Sequence, residues 1–406
     1  PSPKFPPSEV DKKHHVLKFI RRPLEVVLLR YLFGFMVIGP ASMYIAWSFS
    51  PEYVLDMILI NKSVPDENRT EHAAISWILD HEHIVNSKGQ AYEKKSDYYG
   101  FFPRLGGDFV SRDFAGLDSS EIVELVEQND MTYIADAYGV YAHDYHGDKK
   151  KPNHLLYGGL NQSDVAFIRE MRNQKKLVIG EFSIFGPPTS RTVRDSLESL
   201  FGVEWSGWIG RYFISLDSTA NDALPGWVVK LYQDQHGPSW PFHDSGIVLV
   251  KGSEILILEY GHHLNLETPM IETQPVFCDE FDLPASIHYS FWFDIVSSPD
   301  RGNQIVSNFR LPVNEVGDSL LQVYKIPRLF PAVLREISEE FPFYYLAGDF
   351  SDNPVSPRTA YFKGIGMLQS FFYNANQIED RREFFWRYYK PLLSGILSTE
   401  IQSNKN

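Results

Sequence analysis

The chain has 406 residues, 43% of them hydrophobic and 15% aromatic, which is enough to fill a large core and excludes a disordered polymer. Its formal net charge of -14 argues against a surface that grips nucleic-acid phosphates, so we expect no nucleic-acid partner. The single cysteine, Cys278, excludes an internal disulfide and a cysteine-based zinc cluster. We predict no cofactor and no bound metal.

An uncharged apolar run extends from Tyr31 to Phe49 and has the length of a membrane-spanning helix. Positive charges precede it at Lys12, Lys13, Lys18, Arg21, Arg22 and Arg30. The positive-inside rule therefore predicts a cytoplasmic basic N-terminus over residues 1–30 and a transmembrane helix over 31–49. The protein is then a single-pass protein of the cytoplasmic (inner) membrane, with its main domain periplasmic or extracellular. A cleaved signal peptide and a buried core helix remain as alternatives.

From Val54 onward, apolar runs of strand length alternate with helical periodicity, which predicts βαβ units and a parallel sheet. The predicted strands are Met57–Asn61, Met131–Asp136 and Lys176–Phe182, and the predicted helices are Glu71–Val85, Ser119–Val126, Asn161–Met171 and Thr192–Phe201. This pattern indicates an α/β fold, with a doubly wound domain over 54–203.

Near Val203 the pattern changes to short alternating runs, which predicts a β-rich insertion or second domain over 204–340. Within it, Ile247–Val250 and Ile255–Leu258 are typical of a hairpin. A strand over Phe343–Phe350 and a helix from about Ile378 to Leu397 follow. We expect these last elements, in the segment 341–399, to complete the α/β domain.

Four of the predicted strands finish in a polar or charged side chain: Lys62 after the first, then Asp136, Glu181 and Asp349. Open parallel sheets bind ligands beyond the carboxyl ends of their strands, so we predict that these groups share one pocket. The predicted ligand-binding residues are Lys62, Glu71, His72, Asp136, Tyr138, Glu181 and Asp349. Such a cluster binds a polyol through charge-assisted hydrogen bonds or performs acid–base chemistry. In the alternative interpretation, each carboxylate only caps a helix or pairs with an arginine.

Two groups of histidines are candidate metal ligands: His143, His146 and His154, and the adjacent pair His262 and His263. The first group matches no established ligand spacing, and the neighbouring glycine, lysines and proline (Gly147, Lys149 to Lys151 and Pro152) predict an exposed loop. The second group lies on a strand, where adjacent side chains point to opposite faces. We predict a metal at neither, and we assign no catalytic residue.

Several segments of the first half, VPDENRTEH, YIADAYGVY and YGGLNQSDVAFIREMRNQKKLVIGEF, resemble the glutamine-amidotransferase-like (flavodoxin-like) superfamily. The resemblance covers about Leu55 to Val203 and is closest to non-catalytic members found in bacterial envelope and carbohydrate-processing proteins. Amidotransferases of this family use a cysteine at a strand-to-helix elbow, and the corresponding elbow here, Glu181 to Gly186, has none. The resemblance therefore implies a flavodoxin-like fold and the place of the pocket, without glutaminase activity.

Together these features predict an accessory protein of cell-envelope or exopolysaccharide assembly that binds a polysaccharide and is held in the membrane by its N-terminal helix. Two alternatives stay open. One is a structural subunit of a membrane complex of secretion or motility type. The other is a glycan hydrolase that uses paired carboxyls such as Asp136 and Glu181.

Overall fold

The computed structural model of the protein describes residues 30–31, 33–34, 36–104, 107–147, 153–299, 302–336 and 341–405. The strands are β1 (Tyr53–Val54), β2 (Met57–Asn61), β3 (Ile84–Val85), β4 (Tyr99–Pro103), β5 (Phe109–Arg112), β6 (Met131–Asp136), β7 (Val140–Tyr141), β8 (Leu155–Tyr157), β9 (Leu177–Glu181), β10 (Glu204–Phe213), β11 (Gly246–Lys251), β12 (Glu254–Glu259), β13 (Met270–Thr273), β14 (Ser286–His288), β15 (Trp292–Ser297), β16 (Gln304–Arg310), β17 (Leu329–Glu336) and β18 (Phe343–Leu346). The α-helices are α1 (36–48), α2 (Ala73–His81), α3 (Ser119–Glu127), α4 (Ala142–His146), α5 (Gln162–Asn173), α6 (Arg191–Phe201), α7 (Gly226–His236), α8 (Pro275–Phe281), α9 (Glu315–Val323), α10 (Arg382–Phe384) and α11 (Lys390–Ser403). Turns of 3-10 helix span Thr70–His72, Pro357–Tyr361 and Ile365–Phe371, and a π-helical turn spans Phe385–Tyr389.

The main sheet is mixed. Among the described residues it holds ten strands in the order β14-β13-β16-β17-β18-β9-β6-β2-β4-β5. The five neighbours β18, β9, β6, β2 and β4 are parallel, while β17, β16, β13 and β14 pair antiparallel. The α/β class is confirmed, but the expected flavodoxin-like parallel sheet is only half of this sheet. A parallel crossover needs about a dozen residues, and the short segment 337–342 between β17 and β18 permits only antiparallel pairing.

A second, four-stranded antiparallel sheet has the order β12-β11-β10-β15. Its β11–β12 hairpin confirms the predicted one, with Lys251 opposite Glu254 across the turn. The two sheets meet where Phe293 bridges Gly348, and the Asp294 N–H donates to the Ala347 carbonyl at 2.7 Å. The predicted β-rich segment therefore supplies strands to both sheets.

Local sequence signals set the ends of the helices on the main sheet. In α3, predicted to begin at Ser119, the cap is Asp118, which forms a capping box with Glu121. In α5 the capping box joins Asn161 and Asp164. The apolar faces of α3, α5 and α6 are buried against the sheet, and burial of each large side chain contributes roughly 1.5–3 kcal/mol.

The predicted C-terminal helix is present but lies further along the chain, since α10, the π-helical turn and α11 follow one another without a break from Arg382 to Ser403. Pro391 lies in the first turn of α11. Proline has no N–H to donate to the carbonyl four residues earlier, and the π-helical turn precedes it directly, as is common where the helical ladder is interrupted. The helix packs on α2, where Ser394 Oγ donates to Glu82 at 2.8 Å.

The predicted membrane helix overlaps α1. Within the described part of the chain, no helix is both long and apolar enough to span a membrane. Leu32, Phe35 and the basic residues before Arg30 lie outside that part. The end of α1 packs on the domain, since Trp47 donates its Nε1 proton to the Asp80 carbonyl at 3.0 Å and stacks on His83.

Candidate functional site

The parallel strands bring their carboxyl ends to one edge of the main sheet. In the register of β2, β6, β9 and β18, Asn61 lies beside Asp136, and Glu181 pairs with Leu346. Asp349 follows β18 at the same edge, and the charges of three other carboxyls act on it. We call the group Glu71, Asp136, Asp349 and Asp352 the acidic rim, and the carboxyl of Glu181 lies beneath it.

Asp136 closes β6 and is 8% exposed. Ser183 Oγ donates to its carboxylate at 2.5 Å, and the Tyr138 N–H donates to the same oxygen at 2.7 Å. Burial raises the pKa of Asp136 to about 6, although these hydrogen bonds oppose the rise. Ser183 lies in the segment Glu181 to Gly186, which the sequence predicted as an elbow without a cysteine, and its φ of 73° is left-handed. The elbow is therefore formed by a buried serine that holds Asp136 in place.

Glu181 lies under the rim and is fully buried. Tyr133 donates its hydroxyl proton to one carboxylate oxygen, and the N–H and Oγ of Ser351 donate to the other at 3.2 and 2.8 Å. Burial raises the pKa of Glu181 to about 8. Because both oxygens are occupied and none of the side chain reaches solvent, Glu181 supports the rim and is poorly placed to touch a ligand.

Asp349 is 9% exposed, and its side chain makes no hydrogen bond or ion pair with any described residue. Burial and the charges of Asp352, Asp136 and Glu181 raise its pKa well above the usual range, while Arg381 opposes the rise. A buried carboxyl without a partner is costly to a protein. Asp349 and Glu71 are thus rim carboxyls with oxygen atoms that no described residue occupies.

Arg211, on β10, faces the same region. Its guanidinium lies 4.8 to 5.2 Å from the ring centres of Phe213, Phe291 and Trp292. Its buried Nε has no hydrogen-bond partner, and no ion pair of Arg211 occurs among the described residues. Burial lowers its pKa, and the charges of Asp352 and Asp349 act in the opposite direction. Arg211 and Asp349 thus interact through space without contact.

A cavity of about 170 Å³ opens beside Arg211. We call it the arginine pocket, and it is lined by Arg211, Tyr212, Asn221, Phe291, Glu379 and Arg381 among others. Arg381 stacks on Phe291 at 3.7 Å and donates to the backbone carbonyl of Asp352. Pockets for drug-sized ligands measure roughly 300–1,000 Å³, so this one accommodates a single small ring or side group.

Two other predicted ligand-binding residues, Lys62 and His72, are buried outside the rim, where they bind other groups of the protein. Lys62 Nζ lies 2.5 Å from Asp164 and also donates to the Gly159 carbonyl at 3.2 Å. His72 is fully buried between Asn61 at 2.8 Å and the Lys94 carbonyl at 3.0 Å, and burial lowers its pKa to about 4. The structure does not bring either side chain into the rim, because each satisfies a polar group of the scaffold.

The last two predicted residues are Glu71, a member of the rim, and Tyr138, whose backbone N–H donates to Asp136. Glu71 is half-buried, its Oε2 has no hydrogen-bond partner, and burial raises its pKa to about 8. Tyr138 is 48% exposed, contacts the Tyr141 ring, and burial of its hydroxyl raises its pKa to about 12. A ligand role for both remains a prediction.

The histidine groups have ordinary structural surroundings. His143 and His146 lie in α4, and His154 precedes β8. The flanking 148–152, with the lysines used in the loop prediction, are outside the described residues. Nδ1 of His263 accepts the Glu259 N–H at 3.0 Å, and His262 lies 3.9 Å from Glu259. Over the described ranges, no set of three or more histidine, cysteine or carboxylate side chains is arranged to hold a metal ion.

The arginines and one further acid were missed from the sequence. Asp294 is fully buried in β15, accepts from the Ser183 N–H, Tyr345 and Trp205, and burial raises its pKa to about 6. A charge inside an apolar strand was the available signal, both for Asp294 in FWFDIV and for Arg211 in WIGRYF.

No protein-family profile matches the sequence, and no curated protein matches it. Among solved structures, the chain is similar to Agd3, a novel carbohydrate deacetylase, with 6% identity and a TM-score of 0.32 over 73% of this chain and 30% of that one. It is also similar to a putative ThuA-like protein from Bacteroides uniformis, with 10% identity and a TM-score of 0.35 over 77% of this chain and 89% of the other. The chain therefore spans under a third of the length of Agd3. Neither likeness is close enough to assign a family or a function.

Proposed function

We propose that the domain binds a glycan between the acidic rim and the arginine pocket, as an accessory protein without glutaminase activity. The observation that carries this proposal is the pair Arg211 and Asp349: the buried Nε of Arg211 has no hydrogen-bond partner, and the Asp349 carboxyl makes no hydrogen bond or ion pair with a described residue. A sugar hydroxyl both donates and accepts, so neighbouring hydroxyls can satisfy both groups at once. Phe291 and Trp292 provide apolar walls beside them.

Binding without hydrolysis is favoured by the state of Glu181. A glycosidase needs two carboxyls that reach opposite sides of the scissile bond, and Glu181 has both oxygens occupied by Tyr133 and Ser351. Asp136 is then left without its proposed catalytic partner. Incubation with oligosaccharides and chromatography of the products tests this point, and turnover that is lost in Asp136→Asn would favour the hydrolase alternative.

The binding test uses calorimetric titration with cellotriose, maltotriose and chitotriose. Arg211→Met and Asp349→Asn each remove one half of the pair and keep the side-chain volume, so we expect at least a tenfold loss of affinity in each. The matched controls Arg191→Met and Asp222→Asn change exposed residues and should bind like the wild type. Absence of binding by the wild-type protein, or equal affinity in all four variants, contradicts the proposal.

We further propose that residues 31–49 attach the protein to the inner membrane, with the domain on the outer side. In support, the side chains of Met36, Ile38, Ile45 and Phe49 are between 55% and 85% exposed, and exposed apolar patches of this kind mark membrane or partner contacts. Carbonate extraction of membranes tests the attachment, and Ile38→Lys should release the protein whereas Ser48→Lys should not. Co-purification of fixed partners after mild detergent extraction would instead favour a subunit of a membrane complex.

A further inference from the structure

The outer edge of the second sheet borders a cleft that is separate from the acidic rim. The edge strand is β12, and antiparallel pairing leaves every second residue with its N–H and C=O directed away from β11. Because Lys251 and Glu254 close the hairpin, the outward residues are Ile255, Ile257 and Glu259. The outward N–H and C=O groups of each of these residues need a hydrogen-bond partner or access to solvent.

Side chains cover two of the three outward positions. Gln235 accepts from the Ile255 N–H at 3.0 Å and donates to the Ile255 carbonyl at 3.3 Å, as a neighbouring strand would. His263 accepts from the Glu259 N–H through Nδ1, and burial lowers the pKa of its ring, which keeps that nitrogen an acceptor. Between them, the N–H and C=O of Ile257 have no partner anywhere in the described chain.

Ile257 lies in the wall of a cleft of about 440 Å³. We call it the edge cleft, and its other lining residues include Tyr232, Phe242, Leu320, Tyr324, Glu259 and His262. Tyr232 and Phe242 meet edge to face at 5.0 Å, and Tyr324 accepts a hydrogen bond from Gln235 at 2.9 Å. The cleft thus combines aromatic walls with one open pair of backbone groups.

We infer that the edge cleft binds one sugar unit through two neighbouring hydroxyls. The N–H and C=O of an extended residue lie side by side and point the same way, so the ligand must offer an acceptor and a donor side by side, as a vicinal diol does. An added peptide strand would also need the outward groups of Ile255 and Glu259, and Gln235 and His263 already occupy them. The aromatic walls suit the apolar face of a sugar ring.

This inference takes its ligand class from the proposed glycan binding, but its site is independent of the acidic rim. Leu320→Trp fills the cleft from α9, and Val323→Trp makes the same change on an exposed position of that helix. Ile257→Pro removes the open N–H, and an edge strand tolerates proline where that N–H faces outward. Thermal unfolding establishes which variants remain folded.

The probes are cellotriose, maltotriose and chitotriose, with N-acetyl-trialanine amide as a peptide. In an Asp349→Asn background, we expect residual trisaccharide binding to fall tenfold or more with Leu320→Trp and with Ile257→Pro, and to persist with Val323→Trp. Binding that Leu320→Trp abolishes while Asp349→Asn leaves it intact supports the cleft and contradicts the rim. Trisaccharide binding unchanged by Leu320→Trp, or a cleft that takes only the peptide, overturns the inference.

Discussion

Replacing Glu181 with glutamine tests whether the carboxyl beneath the rim is held in its protonated form. Burial raises its pKa to about 8, so at neutral pH the folded protein keeps the proton. Glutamine has the shape of the protonated acid and can accept from Ser351. Its N–H can donate to the Tyr133 oxygen when the Tyr133 hydroxyl turns its proton to the Tyr389 hydroxyl, 2.7 Å away. We therefore expect Glu181→Gln to fold and to keep the network.

The expected change in the free energy of unfolding follows from the ordinary pKa of Glu181 and its raised pKa in the folded protein. Between pH 4.5, the ordinary value, and about 8, the unfolded chain has released a proton that the folded protein still binds, so stability falls as pH rises. Each pH unit in this window corresponds to about 1.4 kcal/mol, which gives a loss of about 5 kcal/mol across it. That loss is comparable with the whole stability of a small domain, roughly 5–15 kcal/mol. Asp136 and Asp294, whose pKa values burial raises to about 6, act in the same direction at lower pH.

The assay is urea denaturation at pH 5, 6, 7 and 8, with the free energy of unfolding obtained at each pH. The wild type should lose several kcal/mol between pH 5 and 8, and Glu181→Gln should lose much less over the same range. A matched control, Glu127→Gln at the exposed end of α3, should keep the wild-type slope. Parallel curves for the wild type and Glu181→Gln would show that Glu181 is ionised in the folded protein, which contradicts this prediction.

Two further substitutions probe the scaffold that positions the rim. Lys62→Met leaves the carboxylate of Asp164 buried without its 2.5 Å partner, so urea denaturation should show a loss of about 3–5 kcal/mol, which a second change, Asp164→Asn, should partly restore. Gly210→Ala places a Cβ 2.1 Å from the ring of Phe293, and overpacking of this kind costs about 1–3 kcal/mol, so the Tm should fall; an unchanged Tm would mean that β15 shifts freely.

The sequence was sufficient to predict the elements that carry the rim. The run MILIN forms β2 and MTYIAD forms β6 over the predicted residues, because short apolar runs between turn signals are typical of buried parallel strands. Since parallel strands end at one edge, the meeting of Asp136, Glu181 and Asp349 followed from the strand assignment. The position of a strand end does not determine which way its side chain points. Lys62, for example, contacts Asp164 and not the rim.

The other half of the candidate site depends on contacts between distant segments. Arg211 reaches the rim from the second sheet, and Arg381 reaches it from the segment before the last helix. Neither arrangement follows from local periodicity, because the sheet order places β15 and β18 beside strands far away in sequence. The open N–H and C=O of Ile257 are harder still to predict, since they depend on the side chains of Gln235 and His263.

The position of α1 relates the proposed anchor to the proposed site. Trp47 contacts Asp80 and His83 at the last turn of α2, whereas His72, before its first turn, contacts Asn61 at the carboxyl end of β2. The α1 contact therefore lies at the edge of the sheet opposite the acidic rim, separated from it by the nine residues of α2, roughly 14 Å at the rise of an α-helix. A membrane attached through residues 31–49 would consequently face the opposite edge, and the rim would be directed away from the bilayer. A glycan that reaches this site must then extend outward from the lipid surface. Soluble oligosaccharides should therefore bind the membrane-bound protein as tightly as the detergent-extracted one.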